Sequence, residues 1–177
     1  MHSVFSFLYA PLIVILLHTF AIKTVAIGIF CFGIVWLASI KDKNLKAIVF
    51  PLFYIAISII AFFLNDVVVL KFLPLLISLA FLFFLIVGYF ENESIILHFA
   101  RKIHKHTLSD KEEAYIQRST HFWIGVAFIN ILLHVTVLIL KNDMYWVFYA
   151  SIGWYCIFAL GGVLQFLHRH FIFLKQG

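Results

Sequence analysis

Residues 67–90 read VVVLKFLPLLISLAFLFFLIVGYF, a run of twenty-four residues with one charge, Lys71. As an α-helix it would be about 36 Å long, more than the roughly 30 Å of hydrocarbon in a bilayer. Working outward from it, the chain repeats the pattern. Asn65-Asp66 separate it from an apolar run over Ala47–Leu64, and the polar stretch Lys41-Asp42-Lys43-Asn44-Leu45-Lys46 precedes that. Earlier still come runs over Thr24–Ile40 and Ser3–Ile22. On the other side, a polar segment from Glu91 to Thr120 leads to His121–Leu140. Lys141-Asn142-Asp143 then give way to Met144–Leu167 and the basic ending His168-Arg169-His170.

The expected fold is therefore all-α. It is a polytopic transmembrane helical bundle of about six spans (3–22, 24–40, 47–64, 67–90, 121–140, 144–167), one integral membrane domain over residues 1–177. An amphipathic helical segment, 91–120, is expected on the cytoplasmic side between spans four and five. Composition agrees: 64% of residues are hydrophobic and 12% charged, against about 45–50% and about 25% in soluble domains. A body of 177 residues has too much surface to hide that excess from water.

The boundary between the first two runs is marked by Lys23 alone. As one helix, residues 3–40 would extend about 57 Å, leaving a long apolar piece in water. A tight hairpin around Lys23 removes that cost, and a kinked or partly interfacial first segment is the alternative. The first run lacks a positive n-region and an A-x-A-like cleavage site, so it reads as retained.

Charge placement sets the topology. The formal net charge is +5. With six spans, Lys41, Lys43, Lys46, Arg101, Lys102, Lys105, Lys111, Arg118, Arg169 and Lys175 share one side, and Lys23, Lys71 and Lys141 lie on the other. Ten against three is the asymmetry expected when the richer side, here with both termini, is cytoplasmic. The basic residues lie between apolar runs, so they signal topology and headgroups rather than nucleic acid.

Within 91–120, Ile95 or Ile96, Phe99 and Ile103 recur at helical spacing while Arg101, Lys102 and Lys105 fall mostly elsewhere. That is a basic amphipathic helix. Ser109-Asp110-Lys111-Glu112 reads as a capping box opening a helix that runs through Tyr115 and Arg118 into span five.

Several side-chain constellations bear on chemistry. His98, His104 and His106 lack the Cys or carboxylate partners and the spacing of a zinc site, so no metal is expected. His18 and His134 fall inside spans one and five, where they would either hydrogen-bond a neighbouring helix or ligate a haem. Cys31 and Cys156 read as two buried, reduced, small hydrophobes. Acidic residues are almost absent from the spans, against an ion-coupled transporter. No nucleophile elbow, P-loop or zincin motif is present, so no catalytic residue is assigned and no cofactor is expected. The polar set around the start of span five is Arg101, Tyr115, Arg118, Thr120, Trp123 and Asn130. There Arg118 suits a phosphate or an acidic partner, Trp123 an interfacial belt, and Asn130 must find a partner at depth. Gly153, Gly161 and Gly162 would let another helix approach span six. Tyr155 and Gln165 add polar groups within that span.

Leu70-Lys71-Phe72-Leu73-Pro74, Phe99-Ala100-Arg101, Tyr115-Ile116-Gln117-Arg118-Ser119-Thr120, Trp123, Phe128, Asn130, Trp146, Tyr155 and Arg169 together resemble a family of small bacterial inner-membrane proteins. Genes of that family accompany ketosynthases, acyl carrier proteins and acyltransferases of aryl-polyene or fatty-acid-like synthesis. Tyr9-Ala10-Pro11 is similar to that family's early Tyr-Pro, whereas Gln165 stands where its members tend to carry an acidic residue. The resemblance implies no activity. It does imply company: a non-catalytic accessory or scaffold protein of an acyl-lipid pathway. Membrane lipids, acyl carrier protein and biosynthetic enzymes are the expected partners. A small lipid or acyl-chain transporter or flippase, using Asn130 and Gln165, is a second expectation, and a His-ligated haem protein a third.

Overall fold

The computed structural model describes residues 2–40, 45–91, 94–103 and 110–173. Among them every regular element is helical: α1 (His2–Thr19), α2 (Ile22–Ser39), α3 (Leu45–Leu64), α4 (Val67–Lys71), α5 (Leu73–Phe90), α6 (Ile95–Ile103), α7 (Asp110–Ile139), α8 (Asp143–Phe148) and α9 (Trp154–His168). Short π-helical stretches, Tyr149–Gly153 and Arg169–Phe173, begin and end the α9 region.

Five runs are long and apolar enough to cross a membrane: Ile22–Ser39, Ala47–Leu64, Val67–Phe90, Asp110–Ile139 and Asp143–Phe171. Apolar α1 precedes them. Phe63, Phe90 and Met144 are more than three-quarters exposed. Large apolar side chains so displayed need hydrocarbon around them, and this is a multi-pass membrane protein.

The helices end where local chemistry ends them. Asn65 takes φ 51° after α3, with its N–H on the Ala61 carbonyl at 2.9 Å. Asp66 then caps α4, accepting from the Val68 N–H at 2.8 Å. Lys141, also at φ 51°, ends α7 and Asn142 caps α8 through the N–H groups of Met144 and Tyr145. An αL residue followed by an Asx cap reverses the chain in a few residues and satisfies its orphaned groups.

Four expectations are corrected. The α1–α2 break lies at Phe20-Ala21, where Ala21 is extended (φ −62°, ψ 149°), and Lys23 belongs to the first turn of α2. The run 67–90 is two helices, interrupted at Phe72. The run 144–167 contains the π-helical stretch. Cys31 and Cys156 are free as expected but exposed rather than buried.

Two compact units divide the chain. The first joins residues 1–80 to 131–153. Its core holds Ala10, Ile13, Ala26, Tyr54, Ala61, Leu70 and Trp146. Helices α2 and α3 pack most extensively. Gly33 makes this possible, since a Cβ there would lie 2.8 Å from Ile55 Cγ1 and 3.3 Å from the Pro51 carbonyl oxygen. Pro74 matters as much. It has no N–H for the Leu70 carbonyl four residues back, and the Tyr9 hydroxyl donates to that oxygen at 3.0 Å. Trp146, 1% exposed, donates its indole N–H to the Lys71 carbonyl at 3.2 Å. The Lys71 ammonium lies 5.8 Å over the same indole and pairs with Asp143.

The second unit joins residues 81–130 to 154–177. Here Trp123 stacks on Phe158 (6.1 Å, 12°), and Phe158 meets Phe81 edge-on at 5.4 Å. A Cβ on Gly161 would sit 3.3–3.4 Å from Val126 and Trp123, so this glycine lets α7 and α9 close. Gly162 meets nothing within 4 Å, and Gly153 faces the ring of Tyr149 in its own helix.

Two stability predictions follow from these contacts. Gly33→Val should cost about 1–3 kcal/mol by overpacking, lowering the thermal midpoint in detergent. Gly28→Ala on the same helix, with nothing within 4 Å, should not lower that midpoint. Tyr9→Phe should cost about 1–3 kcal/mol, because the Leu70 carbonyl loses its donor where no water replaces it. Equal midpoints for Tyr9→Phe and wild type would show that this carbonyl is met otherwise.

Candidate functional site

At about 45 Å, α7 exceeds the hydrocarbon core by about 15 Å, or roughly ten residues. Its polar first turns, from Asp110 to Ser119, are that excess. They form a platform with α6 and the chain beyond α9, all inside the second unit.

Three braces hold it. Arg101 on α6 donates to Glu113 in bidentate fashion, Nε to Oε1 at 2.8 Å and Nη2 to Oε2 at 2.7 Å. This guanidinium holds the Glu113 carboxyl below its usual range, chiefly through the hydrogen bond. Arg169 donates to Glu112 at 2.8 Å. Tyr115 meets His168 Nδ1 through its hydroxyl at 2.9 Å, with the rings stacked at 5.9 Å. Partly exposed ion pairs are screened by water and add little to stability, so these braces fix geometry more than they stabilise.

Gln117 locks the platform to α5. Its Nε2 donates to the Tyr89 carbonyl at 3.2 Å and its Oε1 accepts from the Ser94 N–H at 3.3 Å. Ser94, fully buried, caps α6 by accepting from the Leu97 N–H at 3.1 Å. The amphipathic helix expected over 94–106 is seen as Ile95–Ile103, and the helix opened by Asp110 runs unbroken into the fifth expected span.

The sequence-derived candidates disperse over both units. Arg101 and Tyr115 join the braces, whereas Arg118 is exposed. Thr120 is fully buried and Trp123 half-buried. Thr120 Oγ1 and Trp123 Nε1 are both enclosed without a hydrogen-bond partner. Lys102 lies on α6 with an undescribed side chain, and Lys105, His104, His106 and Ser109 lie outside the described residues. Asn130 is buried and engaged. Tyr155 packs its ring on Trp154 at 3.8 Å, and Gln165 is half-buried.

The first unit holds the two histidines in different surroundings. His134 is 3% exposed and meets the Tyr149 ring edge-on at 4.8 Å. His18, at the exposed end of α1, lines a cavity of about 290 Å³ with Lys71 and Asp143. Among the described residues no three His, Cys, Asp or Glu side chains group as metal ligands. The same unit contains a larger cleft, about 570 Å³, between α1 and α2, with Tyr9 and Tyr54 in its lining.

Sequence reasoning missed Glu112, Glu113, His168 and Tyr54. The two glutamates carried a signal, since they sit one turn into a helix rich in bases on either side. Tyr54 had one too, as a hydroxyl in the middle of an apolar run.

Gln117→Leu should remove both of its hydrogen bonds while keeping its size. Amide hydrogen exchange in Ile95–Ile103 should then rise at least about tenfold, for a loss of roughly 1.4 kcal/mol or more, with exchange in α2 and α3 unchanged. Unaltered protection of α6 would show that the lock lies elsewhere.

No protein-family model, curated protein or solved structure matches the chain.

Proposed function

We propose that this is a non-catalytic accessory protein of an acyl-lipid or polyene pathway. It resides in a bacterial inner membrane with both termini in the cytoplasm, and it docks soluble partners at the membrane surface. The observation that carries the proposal is the platform. The first turns of α7 stand beyond the apolar span and are braced from two directions by Arg101–Glu113 and Arg169–Glu112.

A merely connecting segment needs no such bracing. Helix–helix connections usually take 2–8 residues, while this one contains two helical pieces tied to each other. The pairing also sorts the charges. Arg101 and Arg169 spend theirs on glutamates, and Arg118 and Lys111 are exposed beside them. A cationic face on a fixed frame suits an acidic partner, steering its approach and fixing its register. Acyl carrier proteins have that chemistry, and the resemblance of Tyr115–Thr120 and Phe99–Arg101 to proteins encoded beside them points the same way. The ten-to-three distribution of Lys and Arg supports the cytoplasmic location of this face.

The test is binding of a labelled acidic acyl carrier protein to the full-length protein in nanodiscs of zwitterionic lipid. Arg118→Glu with Lys111→Glu leaves the braces intact and reverses the exposed charge. The double variant should weaken binding at least about tenfold, and wild-type binding should fall as salt rises through the range where the Debye length drops below about 8 Å. Binding that ignores both the substitutions and salt would end the docking proposal.

A further inference from the structure

We propose that the cleft between α1 and α2 holds one hydrocarbon chain of a membrane lipid that bears an oxygen function partway along its length, and that Tyr54 recognises that oxygen. The docking role does not enter this inference, and the two tests can fail separately.

The cleft follows from how the two helices part. They meet near Phe20-Ala21 and have few contacts beyond, while α2 is pressed against α3 at Gly33. The space left is about 570 Å³, lined from Phe20 and Thr24 at the turn to Tyr9 and Phe32 at depth. Along α1, Tyr9 to Phe20 is about 16 Å at 1.5 Å per residue. A cleft of this length, almost wholly apolar, within helices that cross a bilayer takes an extended chain from the surrounding lipid. Gly28 lines it with open space before its Cα.

Its inner end is aromatic. Tyr9 meets Tyr54 edge-on at 5.8 Å, and Phe32 lies 5.5 Å from the same ring. The two hydroxyls differ in circumstance. Tyr9 spends its proton on the Leu70 carbonyl. Tyr54 is 4% exposed, and its hydroxyl makes no hydrogen bond among the described residues. That hydroxyl is not enclosed in protein, and the cleft is the space Tyr54 lines. A buried tyrosine hydroxyl ordinarily finds a partner. Near the middle of the twenty-residue α3, water does not supply one.

The partner must therefore arrive with the occupant. A saturated or simply unsaturated chain has nothing to accept the proton. The ester carbonyls of a glycerolipid lie at the interface and do not reach mid-span. A hydroxyl or keto oxygen inside the chain does, accepting from Tyr54 while its flanking methylenes fill the apolar walls. The geometry points to hydroxy- or oxo-acyl chains as the ligand class.

Native mass spectrometry of the detergent-solubilised full-length protein tests this, using equimolar 12-hydroxyoctadecanoate and octadecanoate in competition. Wild type should carry the hydroxylated chain about threefold to tenfold in excess, the worth of one net hydrogen bond. Tyr54→Phe keeps the ring and should bring the ratio to near one by lowering the hydroxylated adduct while the octadecanoate adduct is kept. Gly28→Phe, which fills the cleft, should reduce both adducts at least about fivefold, while Gly28→Ala leaves them unchanged. Equal binding of the two acids to wild type would overturn the assignment of ligand class. A preference that survives Tyr54→Phe would overturn the role of that residue. Undiminished adducts in Gly28→Phe would place the chain elsewhere and overturn the site.

Discussion

A proline without an N–H, in a medium without water, organises the first unit. In water the stranded Leu70 carbonyl would be solvated at almost no cost. Within hydrocarbon it must be met by protein, because every unsatisfied backbone group there costs several kcal/mol. The Tyr9 hydroxyl meets it, which fixes where α1 lies against the break at Phe72. The interruption also lets the Trp146 indole reach the Lys71 carbonyl, and the Lys71 ammonium then sits over the indole with Asp143 as counter-ion. One missing hydrogen thus accounts for contacts among α1, α4 and α8, all distant in sequence.

The same accounting runs through the hydroxyls. Ser39, Ser58, Ser78, Ser119 and Thr136 each donate to a carbonyl three or four residues back, satisfying themselves within their own helix. Ser151 does not, and its oxygen is enclosed without a partner. It lies in the π-helical Tyr149–Gly153 stretch, where the wider turn shifts the carbonyls out of the register a serine ordinarily uses. Gly153 permits that turn, since any Cβ there would strike the Tyr149 ring at 2.5 Å.

What the sequence made legible follows from how local each signal is. Apolar runs of bilayer length are local, and they coincide with the helices. So are the breaks at Asn65-Asp66 and Lys141-Asn142, where one residue tolerates αL and the next caps. Pro74 carried a local signal for the break near Phe72, but the apolar run masked it and 67–90 was expected as one helix. The α1–α2 break carried no such signal, because Phe20-Ala21 has no turn chemistry. Lys23 was only the nearest charged residue. Pairing was the least legible. Nothing in the spacing told Arg101 to choose Glu113, or Arg169 to choose Glu112, because those partners meet only after intervening helices have placed them.

Tyr9 and Tyr54 show how the constraint separates structure from site. Their rings touch edge-on and both are nearly buried. A phenylalanine at either position would supply the same ring without the cost of desolvating a hydroxyl, and this chain uses phenylalanine freely, with 22 of them. At position 9 the hydroxyl is accounted for by a carbonyl that Pro74 abandons. At position 54 the folded chain offers no such account, and the hydroxyl borders a cleft instead. Where a polar group at depth is costly to leave unmet, one that borders an apolar cleft is where a ligand's own polar atom belongs.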